Sequence, residues 1–477
     1  MKPCSLPKAM ILLAHPYFLR DDAKQLARMK PYPPLATLLA AAVLRQHGHE
    51  VTLFDAMLAD GVDEFRAALA EARPTVVAIV EDSFNYITKM CTTRLRDATI
   101  EMIGAAHEYG CRVVVSGSDA TDHPRRYLDG GADAVLLGEP EATLAEVAAR
   151  WLDDVAAPLD AVAGLALRDP ASGEMIITAP RAGVRDLDAL PLPAWDLVDA
   201  DAYRSAWRRA HGRHSWNVVT SRGCPYGCNW CAKPVFGRRY AQRSPASVAE
   251  ELRRLKADVA PDHVWFADDI FGLTARWIAE FADEVRVRDA RIPFMIQCRA
   301  DLVTPTVARN LALAGCEEVW MGVESGSQRI LDAMDKGTTV DEVRQATRAL
   351  RSAGIRACWF LQLGYPSEQW EDVIATRDLV REERPDDVGV SVAYPLPGTK
   401  FHAAVQAQLG ARTNWEETGE LAMLFQGTYT TAFYRQLRDA LHDEARDGAD
   451  ESRWFELGEA AETHRLALPV SLAEVEE

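Results

Sequence analysis

Five short, largely apolar runs recur through the first third of the chain: AMILLA from Ala9, EVTLFD from Glu50, TVVAIV from Thr75, CRVVVSG from Cys111 and DAVLLG from Asp133. Amphipathic stretches such as Leu35 to Gln46 and Asp97 to Glu108 separate them. A strand with almost no polar face must be covered on both sides, which a parallel sheet achieves when each strand returns through a helix. The pattern from about Ala9 to Trp151 therefore predicts an α/β domain of the doubly wound, Rossmann-like kind. Such sheets bind ligands beyond the carboxyl ends of their strands. Those ends carry Glu81, Asp82 and Ser83, then Gly117, Ser118 and Asp119, then Gly138, Glu139 and Pro140. No GxGxxG follows the first strand, which argues against a dinucleotide. Small and hydroxylated residues suit a bulky ligand whose tail slots between sheet and helices.

Further along, SRGCPYGCNWCAKP places Cys224, Cys228 and Cys231 at CxxxCxxC spacing, directly after the run Trp216 to Thr220. Three thiolates on one short loop can hold three irons of a cubane cluster. The fourth iron is left open, which is what separates a catalytic metal site from a closed structural one. A zinc site would need a fourth ligand, and neither a second CxxC nor a His pair at regular distance is present; His214 and His263 flank the loop at long range. The motif resembles that of the radical S-adenosylmethionine (SAM) superfamily, CxxxCx(aromatic)C, with Trp230 in the aromatic slot. The resemblance implies a 4Fe-4S cluster on Cys224, Cys228 and Cys231, with Trp230 beside the bound SAM. The SAM amino and carboxylate groups would chelate the open iron, and homolysis would give a 5′-deoxyadenosyl radical. Iron–sulfur potentials span about −700 to +450 mV. Sulfonium reduction demands the low end, hence an external low-potential electron donor of flavodoxin or ferredoxin type.

A second βα series follows the cysteines: a helix from about Pro245 to Ala257, the strand HVWFAD, a helix near Thr274 to Arg288, and the strand FMIQC. Right-handed βα repeats that do not number eight predict an open, partial barrel of the (β/α)6 type. Polar residues stand at its strand ends: Asp268 and Asp269, Gln297 and Arg299, Glu324 and Ser325, then Gln362. A carboxylate at the end of EEVWMGVESGS is costly to bury unless a cation meets it. By the resemblance, Glu324 and Ser325 contact SAM; a helix cap is the other reading of Glu324. QLGYPSE resembles the family's GxPGE-like turn near the adenine, which adds Gln362, Gly364 and Pro366 to the SAM-binding set, although Ser367 stands where the second glycine belongs. An ion pair across the barrel interior would equally explain Asp268 and Arg299, and Cys298 reads as a small buried hydrophobe.

An α/β domain immediately before such a cysteine loop resembles the cobalamin-binding module of cobalamin-dependent radical SAM enzymes. The similar segments are PPLATLLAAAVLRQHGHEVTLFDA and GADAVLLGEPEAT. The nine residues at the three strand ends are then the cobalamin-binding candidates; a Rossmann-like domain with another ligand, or none, is the alternative. Modules of the methionine-synthase type supply a lower cobalt ligand from DxHxxG. Here the matching loop, QLARMKPYPP, has no histidine, so the resemblance implies base-off cobalamin without His ligation. His15, at the end of the first strand, reads as a capping or core residue.

With 477 residues the chain is expected to form more than one domain. We divide it into a cobalamin-binding domain over 1–151, a linker over 152–210 that contains Pro191 and Pro193, a partial radical SAM barrel over 211–401, and a mainly helical tail over 402–477. Phe425, Tyr429, Phe433 and Tyr434 of the tail read as core. The net charge of −18 argues against a nucleic-acid partner, since phosphate binding needs a clustered basic footprint. The short group Arg238, Arg239 and Arg243 reads as a local feature of the site's rim. No run approaches the roughly 20 apolar residues of a membrane span, no signal peptide is evident, and nine cysteines without a pairing pattern predict a reducing cytoplasm. The expected function is methylation of an unactivated carbon of a small molecule, through the 5′-deoxyadenosyl radical and methylcobalamin. The overall layout also resembles the anaerobic Mg-protoporphyrin monomethyl ester cyclase branch, and a non-catalytic cobalamin carrier or sensor is a third reading.

Overall fold

The structure is a computed structural model that describes residues 10–85, 92–233, 235–410, 423–448 and 450–466. Cys4 and Cys91 lie outside the described residues. The chain forms two compact units. One takes the sequence up to Val219 with 234–237 and Ala241–Arg243; the other takes Thr220–Lys233, Arg238–Tyr240 and the sequence from Ser244 onward.

The first unit is built on a sheet of β1 (Met10–His15), β2 (Glu50–Asp55), β3 (Val76–Val80), β4 (Arg112–Ser116), β5 (Ala134–Leu136), β6 (Leu165–Arg168) and β7 (Met175–Ile177), in the order β2-β1-β3-β4-β5-β6-β7. The first five strands are parallel. The order reverses between β1 and β3, the switch point where open α/β sheets bind ligands. Strand β3 is buried along its whole length, as its unbroken Val-Val-Ala-Ile-Val requires. On one face Leu12, Ala14, Val77, Ile79, Val113 and Val115 pack against Phe65, Leu69, Met102 and Ile103 of the covering helices.

The segment expected to be a linker is largely folded. Strands β6 and β7 pair antiparallel and extend the sheet from β5. The helix Ala200–His211 is tied down by Tyr203, whose hydroxyl donates to Asp55 at 2.6 Å, and by Trp207, whose indole donates to the Pro31 carbonyl at 2.5 Å. β8 (Ser215–Val218) then leads to the cysteine loop, which is flanked by the two-residue strands β9 (Ser221–Arg222) and β10 (Ala241–Gln242).

The second unit has five parallel strands: β11 (His263–Phe266), β12 (Phe294–Cys298), β13 (Cys316–Glu324), β14 (Arg356–Leu363) and β15 (Asp387–Val392), neighbours in that order. The intervening helices start where the sequence places caps: Ser244 before Pro245, Thr304 before Pro305, and Thr339 in a capping box with Glu342. Helices Lys400–Leu409, Thr431–Asp447 and Glu451–His464 complete the unit, and Phe425, Tyr429, Phe433 and Tyr434 are buried among them as expected. Arg381 fastens this tail through bonds of 2.8 and 3.1 Å to Glu444. No helix among the described residues is long and apolar enough to cross a membrane.

Candidate functional site

The cysteine loop is held by its neighbours rather than by regular structure. Asn229, between Cys228 and Cys231, makes four hydrogen bonds: its amide donates to the Met334 carbonyl at 3.1 Å, its side chain donates to the Ala333 carbonyl at 2.8 Å and accepts from Tyr365 at 2.7 Å, and its carbonyl accepts from the Phe401 amide at 3.1 Å. Trp230 packs onto the cluster of Met334, Tyr365, Phe401 and Phe425 that floors the loop. Cys224, Cys228 and Cys231 are free thiols, the second buried and the others half-buried. Burial pushes Cys224 up, and pushes Cys231 up to about 11, with Asp269 and the neighbouring sulfurs adding to the rise and Lys233 opposing it. Three thiols that repel one another as thiolates need a cation among them to ionise together. Lys233 itself donates to the Tyr226 carbonyl at 3.2 Å.

Glu324 ends β13 with φ +64, a left-handed conformation that bulky residues avoid. It does not cap the next helix; the cation it requires is Lys336, whose Nζ donates to it at 2.7 Å with both side chains buried. Gly322 makes room for the pair, since a Cβ there would stand 2.7 Å from the Glu324 carboxylate and 2.8 Å from Nζ. The Ser325 hydroxyl accepts from the Ser327 amide at 3.1 Å and lies 3.2 Å from that of Thr376. Gln362 is buried with its carbonyl oxygen unmatched among the described residues. In the turn that follows, Gly364 has φ +74 and its amide donates to Glu368 at 2.7 Å, Pro366 comes next, and Ser367 takes φ +71. That positive φ is why a glycine would be at home at 367. Asp268 and Arg299 are not paired with each other. Asp268 accepts from the Thr220 amide at 3.0 Å, the Thr220 hydroxyl at 2.9 Å and the Ser221 hydroxyl, whereas Arg299 binds Asp301 at 2.9 Å.

In the first unit, the expected residues gather at the carboxyl ends of β3, β4 and β5. Gly117 lies so close to Glu81 that a Cβ would stand 2.2 Å from its carboxylate. Asp82 accepts from the Ala36 amide at 3.2 Å, and Ser83 is buried beside it. Asp119 is engaged inside the protein: Arg96 binds it twice, at 2.8 and 2.6 Å, and Tyr127 donates at 2.7 Å. Glu139 accepts from the Val184 amide at 3.1 Å, Gly138 donates to Thr121 at 3.3 Å, and Pro140 opens the helix Pro140–Asp153. The Ser118 hydroxyl and the His15 ring are buried without a partner among the described residues. Burial pulls His15 down to about 3, so it is neutral. Unmatched polar groups at strand carboxyl ends are what a ligand would satisfy.

Residues 218–380 match the model of the radical SAM superfamily, and residues 28–148 match that of the B12 binding domain. The chain carries a radical SAM domain and a B12-binding domain. It is 27% identical over 393 residues to the uncharacterized methyltransferase PH0819 of Pyrococcus horikoshii, covering 81% of each chain. It is 28% identical over 389 residues to the hopanoid C-3 methylase of Methylococcus capsulatus, covering 80% of this chain and 70% of that one. With the anaerobic magnesium-protoporphyrin IX monomethyl ester cyclase of Cereibacter sphaeroides it shares 25% over 410 residues, 84% of this chain but 64% of the cyclase, so it spans less than two thirds of that protein. The radical SAM methyltransferase TsrM from Kitasatospora setae, solved with cobalamin and a 4Fe-4S cluster bound, superposes with a TM-score of 0.68 at 20% identity, over 85% of this chain and 76% of that one. At that identity the likeness shows the fold.

The donor set of the radical SAM domain, three cysteines on one loop, is of the kind that holds an iron–sulfur cluster. Among the described residues no three His, Cys, Asp or Glu side chains converge on one metal position. A cubane spreads its thiolates over separate irons, whereas zinc draws four ligands to one point. Sequence reasoning did not single out Asn229, Tyr226, Lys336 or Arg96. Lys336 lies in the turn DKGTT, and Asn229 is one polar residue among several in its loop; neither carries a local signal of its distant partner.

Proposed function

We propose that the enzyme transfers a methyl group from SAM to an unactivated carbon of a small-molecule substrate. The observation that carries this reading is the presence, on one chain, of a B12-binding domain and a three-cysteine loop anchored by Asn229. The names of the Pyrococcus and Methylococcus relatives support methylation as the outcome. When bound, the cofactors would supply one-electron reduction of SAM and methyl transfer through cobalt. Cys224, Cys228 and Cys231 would hold the cluster. Trp230, Glu324, Ser325, Gln362, Gly364 and Pro366 would hold SAM, and the nine strand-end residues from Glu81 to Pro140 would hold cobalamin, base-off and without a His ligand. The protein's task is to place these groups and exclude water. The reading includes a cytoplasmic setting and a flavodoxin- or ferredoxin-type electron donor.

Similarity to the Cereibacter cyclase favours a second reading, oxidative ring formation without methyl transfer. The two differ in products. Anaerobically reconstituted enzyme turning over its substrate should form S-adenosylhomocysteine together with 5′-deoxyadenosine. Product formation with 5′-deoxyadenosine alone would overturn methylation in favour of cyclisation. Cys228→Ala should abolish both cluster absorbance and 5′-deoxyadenosine formation, and retained turnover would refute the cluster assignment.

A further inference from the structure

We propose that Arg299 raises the reduction potential of the cluster by fixing a positive donor on the Cys228 sulfur. The inference rests on the reading that Cys224, Cys228 and Cys231 carry the cluster. Arg299 directly follows Cys298, the last residue of β12, so a strand end fixes its backbone. Its guanidinium is buried and constrained on three sides. Nε and Nη2 bind the Asp301 carboxylate at 2.9 and 3.4 Å, the plane lies 3.8 Å above the centre of the Tyr226 ring, and Nη1 reaches the Cys228 sulfur at 3.9 Å. Gly337 lies beside it: a Cβ there would stand 3.9 Å from Nη2.

An arginine needed only to neutralise Asp301 has no use for the other two contacts. The fork on Asp301 and the stack on Tyr226 together remove the freedom of Nη1, so that one N–H is held toward one of the three sulfurs. A guanidinium keeps its charge throughout the accessible pH range. One electron entering the cluster adds negative charge that spreads onto the sulfurs, and a fixed cation and hydrogen bond there favour the reduced form. Arg299 thereby eases the step in which the external donor loads the cluster.

The test is a one-electron redox titration of anaerobically reconstituted full-length protein, with dithionite and mediators and with the reduced cluster followed by EPR. Arg299→Gln should shift the ratio of reduced to oxidised cluster about tenfold toward oxidised at a given potential, a fall of about 59 mV in midpoint. Arg299→Lys should recover part of it. Asp301→Asn removes a negative charge while keeping the cation, and should move the midpoint upward. Loss of packing alone would not send the two variants in opposite directions. An unchanged midpoint in iron-replete Arg299→Gln overturns the proposal. Should that variant hold no iron, Asp301→Asn decides, and an unchanged or lowered midpoint overturns it. Wild-type protein that reconstitutes with no reducible cluster defeats the cluster reading itself, a result distinct from either.

Discussion

Lys336 and Glu324 show what a single buried charge demands. The position of Glu324 at the end of an apolar strand made a cationic partner necessary, and the structure supplies one at 2.7 Å. Which lysine it would be was not legible, because the partner arrives through a turn twelve residues on that reads locally as an ordinary helix connection. Removing one member leaves the other buried and uncompensated, which costs about 3–5 kcal/mol. Lys336→Met is therefore expected to lower the urea midpoint strongly, with Glu324→Gln in the same chain restoring much of the loss. Glu368 makes a prediction of its own. It is fully buried, one oxygen accepts from Gly364 and the other has no partner among the described residues, and burial pushes it from an ordinary 4.5 up to about 8. The folded protein keeps the proton that the unfolded chain gives up. Its contribution to stability is thus complete below 4.5 and fades as pH rises through about 8. Wild type should lose stability relative to Glu368→Gln across that window, as urea unfolding at a series of pH values will register; parallel curves would rule the assignment out.

Among the elements, strands were the most legible. β1, β3 and β4 are apolar on both faces because helices cover both, and a short run of that kind bounded by turn residues has little else to fold into. β6 and β7 were missed for the opposite reason. They are four and three residues long, too short to show an alternation, and Ile177 of β7 is 60% exposed. The cysteine loop was legible as chemistry and opaque as architecture. Its spacing announced the ligands, while the anchor at Asn229 depends on carbonyls more than a hundred residues away in sequence. Asn229→Leu keeps the approximate volume and removes the side-chain bonds to Ala333 and Tyr365. The variant is expected to fold, with near-native circular dichroism, yet to bind less iron on reconstitution. Full iron content would show that the anchor is dispensable.

For the molecule as a whole, two cofactor domains on one chain were readable from motif and pattern, and the family matches place them over 28–148 and 218–380. The state of the cobalt was readable only as an expectation. Pro16 to Pro34 contains no histidine, and His15 is neutral and enclosed at the end of β1. Cob(II)alamin bound to protein labelled with nitrogen-15 histidine should give the same EPR hyperfine pattern as unlabelled protein. A changed splitting would put a histidine on cobalt and make His15 the first suspect. The path of the chain has a practical corollary. After Lys233 it returns to the first unit, where Phe236 stacks on Phe84 at 4.9 Å, and it returns again so that Arg243 reaches the Val219 carbonyl at 3.1 Å. No single scissor cut separates the two units, and a gene fragment stopping at Val219 would encode a body stripped of part of its own wall.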